Sequence, residues 1–136
     1  MLAINKTKVI GFQLVRGSFN GESFKTFITD TIIPKSKKAS LLMDNARIHH
    51  YRKFVDMMKE NNHNIIYNIP YSPQFNPLSL RVNPIEYVFN VLKTEIRNNC
   101  IDTYKQLHIK IELFVRKMNS IGFRKYFQKS YDNLSD

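Results

Sequence analysis

The order of apolar periods along the chain predicts a mixed α/β domain: a sheet antiparallel in its first hairpin and parallel where helices cross over, with helices packed on its faces. Three observations carry this expectation. Apolar residues alternate at Ile10, Phe12 and Leu14; two short uncharged runs, Ala39 to Met43 and Ile65 to Ile69, lie between helical patterns; and the second half of the chain repeats a helical stripe twice.

In order, Ile10, Phe12 and Leu14 alternate with less apolar neighbours as a half-buried strand does, and residues 1–5 supply its hairpin partner. Asn20 is placed to cap a helix in which Phe24, Phe27, Ile28 and Ile32 recur at helical spacing until Pro34 stops the pattern. A loop rich in lysine, with Lys35, Lys37 and Lys38, follows. Ala39 to Met43 reads as a central strand, because short uncharged runs suit strands buried on both faces of a parallel sheet. Tyr51, Phe54, Val55 and Met58 mark a second helix ending near Asn61 and Asn62, and Ile65 to Ile69 forms another strand, which Pro70 terminates. Ile85, Val88, Phe89, Leu92 and Ile96 then form one helical stripe, and Leu107, Ile111, Phe114, Met118 and Ile121 a later one. From about residue 100 to 136 the chain reads as a helical C-terminal extension, with no internal repeat and no low-complexity linker.

A chain of 136 residues fits one domain and can bury a sizeable core. Hydrophobic residues at 43% and aromatics at 12% argue against intrinsic disorder. No apolar stretch approaches a membrane span, so no membrane partner is expected. A single cysteine, Cys100, forms no internal disulfide, and the start lacks the apolar run of a signal peptide. An intracellular compartment fits best, the nucleus if the host is a eukaryote. Lys and Arg outnumber Asp and Glu by 21 to 11, a balance that attracts phosphate backbones and makes DNA the natural partner. Scattered, solvated surface charge would give the same balance.

In open α/β sheets, functional groups collect at the carboxyl ends of strands. Asp44 sits at such an end, although Asp44 or Asn45 would serve equally as the N-cap of the following helix. Glu86 follows Asn83 and Pro84 in a capping-box-like helix start, which explains it without chemistry. Hard carboxylates at the ends of two elements of a basic chain nonetheless point to metal-assisted work on DNA phosphodiesters. Such sites usually gather three or more carboxylates, and this chain has no acidic residue before Glu22. His49 and His50 follow Asp44 closely, with no further histidine or cysteine at zinc spacing. Lys93 and Arg97 continue the polar face of Glu86, placed either to touch a DNA backbone or simply to face solvent.

Four segments taken together, Leu42-Met43-Asp44-Asn45-Ala46-Arg47-Ile48-His49, Pro70-Tyr71-Ser72-Pro73-Gln74-Phe75-Asn76-Pro77, Asn83-Pro84-Ile85-Glu86-Tyr87-Val88-Phe89 and Leu92-Lys93, resemble the mariner-type DDE transposases. Val9 to Phe27 also resembles that family's strand, turn and helix before its second acid, and only the last forty residues or so carry little family signal. The resemblance implies an RNase H-like fold in which Asp44 and Glu86 are the second and third members of a catalytic triad, holding Mg²⁺ or Mn²⁺ and acting in DNA transposition. It implies a position for His49, matching a frequent family histidine, near the scissile phosphate.

Two departures from the family pattern set further expectations. The family's first Asp belongs to a strand upstream of the region that opens here at Met1, so a partial domain with weak or absent catalysis is expected, the missing part being supplied by a second copy or a separate chain. A non-catalytic DNA-binding or assembly module on the same scaffold is the alternative. Secondly, 41 residues separate Asp44 from Glu86, longer than the family commonly shows. Deleting Leu78 to Pro84 would leave an uninterrupted Phe-Asn-Pro-Ile-Glu, so those residues read as an insertion, cheap as a surface loop.

Overall fold

The computed structural model describes residues 1–68 and 83–132. Its elements are β1 (Leu2–Ile4), β2 (Val9–Phe12), α1 (Gly21–Thr31), β3 (Ser40–Met43), α2 (Arg52–Glu60), β4 (Asn64–Tyr67), α3 (Pro84–Arg97), α4 (Tyr104–Ile121) and α5 (Arg124–Asp132), with 3₁₀ turns at Ile33–Lys35 and Arg47–His50. The expected α/β mixture takes the form of two small sheets, β1 with β2 and β3 with β4, and among the described residues no strand joins them. The turn between β1 and β2 is organised by Asn5, whose Oδ1 accepts the N–H groups of Thr7 (2.9 Å) and Lys8 (2.8 Å). Leu14 lies past the end of β2.

The chain divides into two compact units, Met1 with Ile10–Leu80 and Leu2–Val9 with Arg81–Asp136. In the first, Asn20 caps α1 as expected. Its Oδ1 accepts the Ser23 N–H and its own N–H donates to Ser23 Oγ, both at 2.9 Å, a reciprocal pair that satisfies two otherwise orphaned donors. β3, α2 and β4 form a βαβ unit, the strands running parallel with Leu41 opposite Ile65 and Met43 opposite Tyr67. The core of this unit is Phe24, Phe27, Ile28, Met43, Phe54 and Met58. Phe24 meets Phe54 edge to face at 5.0 Å between ring centroids, an arrangement that suits the aromatic quadrupoles. Buried His63 accepts the Ala39 N–H at Nδ1 (2.8 Å) and so pins the start of β3 to the α2–β4 corner.

The expectation of two buried faces on the parallel pair is corrected here. Leu42 and Ile66, opposite one another in register, are 40% and 51% exposed, whereas Met43, on the other face of β3, is buried and α2 packs on β4. Ile69 and Pro70, expected at the end of the last strand, lie outside the described residues, as do the Tyr71 to Pro77 loop and the insertion up to Val82.

The second unit is a helical layer in which α3 packs on both α4 and α5, burying Val88, Leu92, Ile111, Phe114, Met118 and Phe123. Its last two helices are α4 and α5. Gly122 ends α4 at φ +75°, a conformation that side-chain-bearing residues avoid, and α5 starts two residues later.

Candidate functional site

Asp44 directly follows β3, at the carboxyl end of the parallel pair. It caps no helix: the N-cap position before α2 is Tyr51, whose side chain makes no capping bond, and the 3₁₀ turn before it begins after Ala46. Instead Asp44 Oδ1 accepts the Ala46 N–H at 3.1 Å, closing a tight turn on its own backbone. His49 completes this arrangement. Its Nδ1 lies 2.8 Å from Asp44 Oδ1 and 3.0 Å from the Asp44 carbonyl oxygen, so one Nδ1–H is shared between the side chain and the backbone of the same residue. The carboxylate is thus held in one orientation while its side chain remains 63% exposed.

The histidine is itself fixed. Its side chain is only 15% exposed and its ring lies 4.5 Å from that of Phe24, a core residue of α1. The Tyr67 hydroxyl donates to the His49 carbonyl at 2.9 Å, and His50 stacks on the Tyr67 ring at 4.3 Å. Burial pushes the Tyr67 phenol above its ordinary pKa, which keeps it a neutral donor. Asn45 Nδ2 donates to the carbonyl of Asn68, which in turn donates its N–H to Met43 at 2.7 Å. The loop carrying the acid is therefore tied to the ends of both strands. Sequence reasoning singled out Asp44, Asn45 and His49 but not Phe24, which read as part of a helical stripe, or Tyr67, which lay within the Ile65 to Ile69 strand run.

Nearby, Gly21 opens α1 against Tyr51: a Cβ there would stand 2.5 Å from the ring. This contact brings the Tyr51 hydroxyl to Glu22 Oε2 at 2.6 Å. The bond to Tyr51, aided by the charge of Lys25, holds the Glu22 carboxyl below its ordinary range, and the same bond raises the Tyr51 phenol.

Glu86 stands in the first turn of α3, in the second unit, half-buried. Asn83 caps this helix as expected, its Oδ1 accepting the Ile85 N–H at 3.2 Å, with Pro84 in the first turn. Lys93 and Arg97 lie further along the same helix, both exposed. Asp44, Asn45 and His49 are thus gathered on one loop, and Glu86, Lys93 and Arg97 on one helix of the other unit. As a donor set, the exposed, oriented Asp44 carboxylate fits one hard-oxygen ligand of Mg²⁺ or Mn²⁺. Among the described residues no three His, Cys, Asp or Glu side chains cluster as a complete cage.

A family model described as DDE superfamily endonuclease matches residues 1–108. The fold matches that of the Mos1 transposase catalytic domain, in a structure with raltegravir and Mg, at a TM-score of 0.82 and 15% identity, covering 98% of this chain and 70% of that one. The likeness bears out the RNase H-like fold. No curated protein sequence matches.

Proposed function

The chain belongs to the DDE superfamily endonucleases, and from that premise we propose that it is a transposase-derived domain acting on DNA phosphodiesters in DNA transposition, with Asp44 and Glu86 as two of its metal-holding acids. The observation that carries the reading is Asp44 itself, an exposed carboxylate at a strand's carboxyl end, oriented by the Ala46 N–H and by a histidine that packs on the core. A divalent ion held by such carboxylates would supply activation of the attacking oxygen and stabilisation of the leaving one. What the protein's own groups contribute is position. Asp44 presents a fixed ligand oxygen, His49 keeps that carboxylate from rotating, and Asn45 anchors the loop to Asn68, just past β4. On α3, exposed Lys93 and Arg97 are placed to neutralise phosphates near Glu86.

Neither β1 nor β2 carries an acid. For residues 1–136 tested alone the reading therefore predicts weak cleavage. A non-catalytic DNA-binding role draws its support from the net charge of +10. Nicking of supercoiled plasmid in Mg²⁺ and Mn²⁺, with Asp44→Ala and Glu86→Ala as comparisons, separates these. Slow metal-dependent nicking lost in both variants, with DNA binding intact, is the expected result. Nicking that survives Asp44→Ala would overturn the site, robust Mg²⁺-dependent nicking lost on that substitution would overturn the impairment, and DNA binding without nicking in any metal would favour the non-catalytic role.

A further inference from the structure

The second unit contains a groove of about 470 Å³ where the turn between β1 and β2 meets the break between α4 and α5. Lys6, Thr7, Asn119, Ser120, Arg124 and Lys125 line it, and among the described residues no acidic side chain does. We infer that this groove binds the phosphate backbone of duplex DNA, as a second contact surface built from residues other than Asp44 and Glu86. The inference rests on the reading of the protein as DNA-acting.

The local fold explains how the cations come together. Gly122 turns the chain at φ +75°, and the Phe123 N–H then donates to the Lys6 carbonyl at 3.0 Å. Asn119 Oδ1 accepts the Val9 N–H at 2.7 Å, which leaves the amide NH₂ as the donor end of that side chain. The hydroxyls of Thr7 and Ser120 are engaged in local bonds, with Asn5 and with the Lys117 carbonyl, so the cations carry the groove's chemistry.

Lys125 Nζ lies 5.0 Å from the centroid of the Tyr126 ring. Arg124 and Lys125 occupy the first turn of α5, where the helix macrodipole disfavours positive charge. An anion reverses that balance, since helix N-terminal N–H groups and the two side chains would then act on one phosphate. Residues 2–9 and 113–130 together hold seven Lys and Arg and no Asp or Glu, and one of the seven, Lys117, is paired with Glu95 of α3. The lining residues named are all exposed, which suits an extended polyanion lying across the surface better than a small ligand enclosed in a pocket.

The test is fluorescence anisotropy of the full chain with a labelled duplex of arbitrary sequence, across a range of salt concentrations. A triple variant, Lys6→Gln, Arg124→Gln, Lys125→Gln, is compared with one of equal charge loss on the other unit, Lys37→Gln, Lys38→Gln, Lys59→Gln. The groove variant should bind roughly tenfold more weakly at low salt, with the slope of log affinity against log salt reduced by about 0.9 for each lost contact, while the comparison variant shifts by less than one such step. Equal losses in both variants, or a groove variant that binds as the wild type does, would overturn the groove and leave the DNA reading standing. A wild type that does not bind duplex would overturn both. Photocrosslinking of the wild type to a bromodeoxyuridine duplex gives a readout independent of any variant's folding: adducts at Lys6–Thr7 or within 119–125 support the groove, and adducts confined elsewhere contradict it.

Discussion

A single Nδ1–H on His49 restrains both the carboxylate and the carbonyl of Asp44, and this double hold is the most informative contact in the molecule. Partners that orient a metal-ligating side chain commonly change metal affinity about 10- to 100-fold when removed. His49→Ala is therefore expected to weaken Mn²⁺ binding at Asp44 about tenfold without unfolding the chain, and His49→Asn, whose amide can replace the Nδ1 donor, to restore most of it; a Mn²⁺ titration followed by electron paramagnetic resonance checks both. A second expectation concerns Glu22, whose carboxyl is held low chiefly by the Tyr51 hydroxyl. A depressed acid contributes stability that is present above its unfolded pKa and is lost as pH falls through the folded value. The raised phenol of Tyr51 acts oppositely, contributing below the unfolded tyrosine pKa and losing that contribution as pH rises through the folded value. Tyr51→Phe should move the Glu22 titration back toward the ordinary carboxylate range in a carbon-detected NMR titration, with little change in overall stability because the pair is exposed. At this scale Asp44, Asn45 and His49 were legible from strand-end position and family pattern. The Asp44–His49 contact was not, because it depends on a 3₁₀ turn that the spacing does not announce.

Among the elements, Phe54 on α2 is fully buried against Phe24, which in turn packs on His49. Phe54→Ala should cost about 3–5 kcal/mol in urea unfolding, through lost burial and the cavity left behind. It should also loosen the Asp44 loop. Gly122→Ala places a Cβ on a residue at φ +75°, ψ 177° and should cost about 1–3 kcal/mol, measurable in the same assay. The starts of α1 and α3 were legible almost to the residue, whereas the Thr103–Gln106 capping box that starts α4 was not read. Asn20 with Ser23 starts α1 and Asn83 with Pro84 starts α3, since capping chemistry is written in residue types a few positions apart. Strand order and pairing were legible as a class only. The parallel pairing of β3 with β4 followed from an intervening helix, but the division into two small sheets reflects long-range partners that no local pattern encodes. The break at Gly122 could have been read from an isolated glycine at the end of an apolar stripe.

For the whole molecule, a net charge of +10 means that association with DNA should be strongly salt-dependent, whichever residues do the chemistry. Family membership and an RNase H-like fold are established by residues 1–108 and by the match to the Mos1 catalytic domain; what the chain does with them turns on whether Asp44 holds a metal. The most direct measurement is amide NMR of the full chain during addition of substoichiometric Mn²⁺, with Asp44→Asn as the comparison. Selective paramagnetic broadening of Asp44, Asn45, Ala46 and His49 that disappears in Asp44→Asn is the predicted result. Broadening that spares this loop, or that persists in the variant, would contradict the assignment of Asp44 as a metal ligand and with it the catalytic reading.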